Sequence, residues 1–303
     1  MGETAVVAGQ IFNGISVGSI LLLAALGLAL SFGVMKVINM AHGEMLMIGG
    51  YLAYLTCLYV HGPFAFLVAM PVGFIGGCLM GALLEFTIVR HLYGRPLDTL
   101  IVTWGISLIL QQSARSIFGP IGDEVVAPSW LDQAIRIHHG FLEGVDIPYV
   151  RLFIIVVSLA VLGLVAFFIT RTTWGMRLRA VHQNREMAAA MGINTRWIDL
   201  AVFSLGTGVA GLGGAVLALI APVTPTVGQS YIVYAFLVVI VGGPGSLVGA
   251  ALAALCVGLF SATTQIFTGV SLSDVLLLVA VVVFIQFRPT GIIAKRSRLL
   301  DDA

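Results

Sequence analysis

Charged side chains are scarce in this sequence. Only 10% of the 303 residues are Asp, Glu, Lys or Arg, and 59% are hydrophobic, whereas soluble domains carry about 25% charged residues. This composition excludes a water-soluble fold. The 14 acidic and 15 basic residues leave a formal net charge of +1, which is too balanced for a nucleic-acid partner bound through its phosphates. The function therefore lies in or across a membrane.

Several chemical motifs are also missing. The three cysteines, Cys57, Cys78 and Cys256, lie in apolar runs without the spacing of disulfides or zinc ligands. Neither Lys36 nor Lys295, the two lysines of the chain, forms the Gly-Lys-Ser/Thr of a phosphate-binding loop. A His-Glu-x-x-His zinc motif is absent as well. We therefore expect no cofactor or metal in this chain, and we expect that the chain cannot itself run on ATP.

Uncharged stretches outline the membrane-spanning segments. A helix needs about 20 apolar residues to cross the hydrocarbon core, so the uncharged run from Leu200 to Ser273 must fold back on itself and hold three spans. We predict an all-α polytopic integral membrane protein with eight or nine transmembrane helical elements, in one transmembrane domain over residues 1–303. The remaining elements are expected near residues 11–35, 45–60, 63–89, 99–119 and 150–170, and a further uncharged stretch covers 275–287. Gly and Pro predict breaks near 222–228, 242–245 and 269.

The loops predict an orientation. The loop 171–197 carries five arginines, and the C-terminal tail contains Arg288, Lys295, Arg296 and Arg298. Cationic loops favour the cytoplasmic side. The loop 120–150 has five acidic residues and one arginine, and is expected outside. Nine elements, with the N-terminus outside and the C-terminus in the cytoplasm, satisfy all of these assignments.

Two polar breaks interrupt the apolar pattern. Asn39, His42 and Glu44 precede one short apolar element, and Gln229 and Ser230 precede another. The predicted topology puts the breaks on opposite membrane faces, as in inverted repeats whose discontinuous helices meet at a transport site. An ordinary cytoplasmic turn, with Glu44 near the positive end of its helix, is the alternative for the first break.

A polar stripe follows one face of a membrane helix. Thr103, Ser107 and Gln111 recur every four residues, which places them on a common helix face. Polar groups at this depth avoid lipid and commonly line a solute pathway. Interhelical hydrogen bonds that only hold the bundle together explain the stripe equally well.

The loop 171–197 is predicted to dock on a soluble partner. From Gly175 to Gly192 it is charged, rich in alanine and helix-forming, and Gly192 suits a helix C-terminus. A short helix of this kind can fit into a groove on another protein. A helix lying on anionic lipid headgroups is the alternative, because its arginines would favour that too.

This loop contains a motif similar to that of a known family. Glu186, Ala188, Ala189 and Gly192 resemble the Glu-Ala-Ala-x-x-x-Gly coupling motif of bacterial ABC importer permeases, although Met187 differs at its second position. The resemblance implies that partner ATPases drive movement through this loop. The residues that it assigns to ATPase coupling are Arg179, Gln183, Asn184, Arg185, Glu186, Ala189 and Gly192.

The resemblance extends over nearly the whole chain. The segment 33–50, with its Asn-Met-Ala-His-Gly-Glu core, resembles permeases of the branched-chain amino-acid type, and 242–246 and 288–291 resemble their later signatures. Tyr234 stands where an acidic residue is expected in urea permeases. The segments that nevertheless look more similar to the urea permease subgroup are 103–112, 183–188 and 228–233.

The resemblance implies the permease subunit of an ATP-driven ABC importer in the bacterial inner membrane, moving urea or a short amide into the cytoplasm. Its partners would be a second homologous permease, two cytoplasmic ABC ATPase subunits, a periplasmic solute-binding protein and membrane lipid. A branched-chain amino-acid permease, a stand-alone channel and a membrane enzyme with His42 and Glu44 as an acid–base pair are the alternatives. The predicted substrate pathway, with amides and hydroxyls suited to neutral urea, comprises Asn39, His42, Glu44, Thr103, Ser107, Gln111, Gln229 and Ser230.

Overall fold

The fold is known from a computed structural model that describes residues 3–35, 37–136 and 146–293. The α-helices of these ranges are α1 (Glu3–Met35), α2 (His42–Tyr59), α3 (Ala65–Thr87), α4 (Pro96–Phe118), α5 (Tyr149–Arg171), α6 (Thr173–Gln183), α7 (Arg185–Ala190), α8 (Thr195–Leu217), α9 (Val227–Gly242), α10 (Leu247–Thr268) and α11 (Val270–Phe287). The predictions that involve Lys36, Glu143, Lys295, Arg296 and Arg298 concern residues outside these ranges.

The prediction of an all-α polytopic membrane protein is confirmed. Six helices are long and apolar enough to cross a membrane, and α9 is a shorter apolar helix. Together with α2 and α4 they account for the nine predicted elements, since α6 and α7 occupy the loop 171–197. The loop 120–150 holds a small antiparallel pair that was not predicted, formed by β1 (Ala134–Arg136) and β2 (Asp146–Pro148).

The connections agree with the predicted order of spans. An isolated antiparallel bridge joins Asp123, after α4, to Val223, between α8 and α9. At the other end of the bundle, the Ile293 N–H donates to the Gly242 carbonyl at 3.3 Å, so the end of α9 and the C-terminal segment lie together. Residues 123 and 223 therefore lie together at one end of the bundle, and residues 242 and 293 lie together at the other. A chain that crosses the bundle nine times gives this arrangement. Which end faces the cytoplasm stays a prediction from the charged loops.

The predicted helix breaks are confirmed at all three places. Chain segment 218–226 separates α8 from α9, residues 243–246 separate α9 from α10, and Gly269 separates α10 from α11. Gly243 shows why the second break occurs there. Its φ of 95° lies in the left-handed region, which residues with a Cβ rarely adopt.

Helix α8 lies at the centre of the bundle, where it packs on α1, α2 and α3. Its contact with α3 depends on small residues that let the two backbones approach closely. A Cβ built on Gly77 would lie 2.5 Å from the Thr207 carbonyl oxygen. Thr207 itself is 1% exposed, so neither helix can move aside without opening the core.

We expect Gly77→Ala to destabilise the fold by about 1–3 kcal/mol, because the added methyl group forces α3 away from α8. Thermal unfolding of the purified protein in detergent measures this change. Gly163→Ala in α5 is the matched control, because nothing lies within 4 Å of the Cβ added there. Equal melting temperatures for the two variants would contradict the close-packing account.

Candidate functional site

The first helix break lies inside the bundle. The Met40 N–H donates to the Thr103 Oγ1 at 3.0 Å, and Thr103 stands seven residues into α4. With a rise of about 1.5 Å per residue, this contact lies about 10 Å along α4 from its start. Helix α2 therefore begins inside the bundle, beside the first half of α4.

The Glu44 carboxylate lies against the polar stripe of α4. Its Oε1 accepts hydrogen bonds from the Ser107 hydroxyl at 2.7 Å and from the Gln111 amide at 2.8 Å. Gln111 also donates to the Ser107 oxygen at 3.1 Å. Glu44 is 0% exposed. The predicted stripe therefore faces the helix bundle, and its polar atoms converge on a buried acid.

Three polar atoms in this group have no hydrogen-bond partner. They are the Glu44 Oε2, the His42 Nδ1 and the Asn39 Nδ2. The other ends of these side chains are held in place. His42 Nε2 donates to the Ala24 carbonyl at 3.1 Å, and Asn39 Oδ1 accepts from the Ala41 N–H at 3.0 Å. Buried groups of this kind are rare, because each unmade hydrogen bond costs about 1–3 kcal/mol.

His42 and Glu44 do not form an acid–base pair in this arrangement. His42 is bonded to α1, through Ala24, whereas Glu44 is bonded to α4. Within the described residues, no cluster of three or more His, Cys, Asp or Glu side chains could hold a metal ion. The described geometry therefore does not support the enzyme alternative that rests on these two residues.

The first turns of α2 and α9 touch each other next to Glu44. A Cβ built on Gly43 would lie 2.2 Å from the Gly228 carbonyl oxygen, and one built on Gly228 would lie 2.5 Å from the Gly43 oxygen. The chain reaches these two turns from opposite ends of the bundle. The two helices thus touch at their first turns, beside the polar group.

Two of the predicted pathway residues lie apart from this cluster. Gln229 and Ser230 follow Gly228, but both are exposed on the surface of the chain. The Ser230 hydroxyl only approaches the Thr226 carbonyl of its own helix, at 3.5 Å. Their place in the substrate pathway stays a prediction. The structure brings together Asn39, His42, Glu44, Thr103, Ser107 and Gln111.

The loop 171–197 forms two helices rather than the one expected between Arg179 and Gly192. Asn184 interrupts the helix because it is extended and caps α7, where its side chain accepts from the Met187 N–H at 2.9 Å. Gly192, with a φ of 82°, ends the helical segment as predicted. Arg179 lies on α6 and donates to the Ile169 carbonyl at the end of α5.

Helix α7 has one buried and one exposed face. Ala188 is 4% exposed and packs with Leu178 and Ile198. Met187 within α7 and Met191 directly after it are 61% and 77% exposed. The predicted coupling residues that are also exposed are Arg179, Gln183, Asn184, Arg185, Glu186, Ala189 and Gly192. Exposed methionines beside charged groups are typical of surfaces that receive a partner.

An ion pair between a half-exposed arginine and a buried carboxylate joins α7 to the central helix. Arg185 donates both guanidinium nitrogens to the Asp199 carboxylate, at 3.2 Å and 2.5 Å, and Asp199 on α8 is 0% exposed. The guanidinium also lies 5.5 Å from the Tyr93 ring centre. Burial, and the hydrogen bond from Tyr93 to Glu85, raise the pKa of the Tyr93 phenol above its ordinary value, so the phenol stays protonated.

Sequence reasoning missed Asp199 and Tyr93. Asp199 is the last charged residue before the uncharged run of α8. A lone acid at that boundary is a signal, because a buried carboxylate needs a cationic partner from a neighbouring segment.

Comparison with known proteins places these features in a family. The family described as "Branched-chain amino acid transport system / permease component" matches residues 10–285. The permease BraD of Pseudomonas aeruginosa is 29% identical over 94% of this chain and 95% of its own length. LivH of Escherichia coli K12 is 26% identical over the same shares, and a probable LivH of Methanocaldococcus jannaschii is 28% identical over 86% and 80%. No solved structure matches.

We expect Arg185→Ala to destabilise the protein by about 3 kcal/mol, because it leaves the buried Asp199 charge unpaired. Asp199→Asn should cost less, since the half-exposed Arg185 can be hydrated. The double variant should be more stable than Arg185→Ala alone. Thermal unfolding of the wild-type protein, the two single variants and the double variant completes a double-mutant cycle. If the destabilisation of the double variant equalled the sum of the two single effects, a direct ion pair would be contradicted.

Proposed function

The chain belongs to the family of permease components of branched-chain amino acid transport systems, and from this premise we propose that it carries branched-chain amino acids across the membrane as the passive subunit of an ATP-driven importer. Partner ATPases dock on α7 from the cytoplasm, and a solute-binding protein delivers the amino acid from outside. A second permease subunit completes the pathway in the bacterial inner membrane.

The observation that carries this proposal is the family match over residues 10–285 together with the exposed face of α7. A stand-alone channel has no need for a helix that leaves Met187 and Met191 in solvent. A docking helix needs exposed apolar side chains, because the free energy falls when a groove on the partner covers them. The ion pair from Arg185 to Asp199 then joins this surface to the centre of the bundle.

Branched-chain amino acids are favoured over urea for two reasons. The relatives reported above are named as branched-chain amino acid permeases, and none of those three names refers to urea. In addition, a buried carboxylate with one unbonded oxygen suits the ammonium group of an amino acid. Urea is neutral, and hydrogen bonds with the amide and hydroxyls of Gln111, Ser107 and Thr103 would suffice to bind it. Urea is therefore the second candidate.

Uptake into proteoliposomes tests the function directly. We expect labelled L-leucine to accumulate when the permease is reconstituted with its ATPase and binding-protein partners and ATP. Urea should remain at the level of empty vesicles. Leucine uptake by this subunit alone would identify a channel or secondary transporter, and ATP-dependent urea accumulation would restore the urea assignment.

We expect Glu186→Arg and Gly192→Val to uncouple ATP hydrolysis from transport. The first reverses a charge on the docking face of α7, and the second forces a branched residue into a left-handed backbone. Leucine uptake per ATP hydrolysed should fall about tenfold or more, while the permease still assembles in the membrane. An unchanged ratio in both variants would contradict the docking role of α7.

A further inference from the structure

We infer that the amino acid is bound as a zwitterion where the first turns of α2 and α9 meet, with its ammonium group on Glu44 and its carboxylate on the two helix N-termini. This inference rests on the proposed function and adds the site and its chemistry. The sequence pattern suggested a row of neutral amides and hydroxyls. The structure instead centres the row on a single buried acid.

The ammonium half of the site is the free oxygen of Glu44. Ser107 and Gln111 both donate to Oε1, which fixes the carboxylate plane and leaves Oε2 without a donor. A carboxylate in an apolar interior needs a cationic partner or further hydrogen bonds. A primary ammonium group supplies three donors on one positive charge, so it meets this need at once.

Glu44 is not serving as an ordinary helix cap. It stands in the first turn of α2, where a carboxylate can accept from the free N–H groups of its own helix. Both of its hydrogen bonds go instead to α4, and α2 has no side-chain cap at its N-terminus. The arrangement therefore holds the acid away from its own helix end.

The carboxylate half of the site is formed by two positive helix ends. Helices α2 and α9 both begin without a side-chain cap. Each N-terminus carries a partial positive charge, which attracts anions such as a carboxylate. The N–H groups of His42, Glu44 and Val227 donate to nearby carbonyls, so the attraction comes mainly from the two helix dipoles. The contact between Gly43 and Gly228 brings these two ends together within one turn of Glu44. The negative charge of Glu44 thus lies beside the positive ends of α2 and α9, which matches the ammonium and carboxylate groups of an amino acid.

The structure describes this site in a closed form. Asn39, His42 and Glu44 are each at most 1% exposed, and the Gly43 and Gly228 backbones are in contact. A solute can enter only when the first turn of α9 moves away from α2. We expect α9, which packs on α1, α2 and α10, to make this movement while α2 keeps its packing on α3 and α8. The unpartnered Asn39 and His42 nitrogens then face the opened space.

Neutralising Glu44 tests the ammonium contact. Glu44→Gln keeps the shape of the side chain and an oxygen that accepts from Ser107 and Gln111, but it removes the charge. In the reconstituted importer we expect leucine uptake at subsaturating concentration to fall at least tenfold. Asp98→Asn is the matched control, because it neutralises an exposed carboxylate on the same helix α4 that bonds Glu44, and it should transport like wild type.

The two proposals fail in different ways in this experiment. If wild-type protein accumulates leucine and Glu44→Gln accumulates it equally well, the transport function stands and the zwitterion site is wrong. If wild-type protein with its partners accumulates no leucine, the proposed function itself is wrong.

A second measurement needs no variant and so does not depend on folding of Glu44→Gln. The melting temperature of the detergent-purified importer, without binding protein, is recorded with L-leucine, with 4-methylpentanoate, which lacks the ammonium, and with 3-methylbutylamine, which lacks the carboxylate. Leucine should raise the melting temperature more than either analogue. An equal rise with 4-methylpentanoate, or no rise with leucine, would overturn the inference.

Discussion

The buried carboxylate of Glu44, held through one oxygen where the first turns of α2 and α9 touch, is the constraint from which the proposed site follows. Within the part of the chain that the structure describes, no Arg or Lys forms an ion pair with it, although these are the usual partners of such a group. Its surroundings cost free energy rather than provide it, since three polar atoms there lack partners. Groups of this kind persist in membrane helices where solutes or ions pass.

A series of contacts between helices connects α7 at the surface of the protein with this carboxylate. The bidentate contact of Arg185 with Asp199 connects α7 to α8. Helix α8 then meets α1, α2 and α3, and at α3 the contact is almost backbone on backbone. Close contacts of this kind leave little room for independent movement. If partner ATPases dock on α7 as proposed, we expect a displacement there to be carried into the region where α2 and α9 touch.

Much of this arrangement could be predicted from the sequence, because membrane insertion leaves strong patterns. Missing charge gave the spans, Gly and Pro gave the breaks, and a spacing of four residues put Thr103, Ser107 and Gln111 on one buried face. Long-range pairing could not be predicted in this way. Nothing in the local pattern distinguishes Asp199 as the partner of Arg185, or shows that Gln229 lies at the surface while its neighbour Gly228 lies in the centre. Such differences depend on which side of a helix meets its neighbours.

The most direct test of the account is a cryo-electron microscopy structure of the assembled importer bound to L-leucine within the membrane. The account predicts density for the amino acid between the first turns of α2 and α9, with its ammonium nitrogen within hydrogen-bonding distance of the Glu44 Oε2. It also predicts that Gly43 and Gly228 have separated. Leucine density elsewhere in the membrane region, with Glu44 still enclosed and the two glycines still in contact, would contradict it.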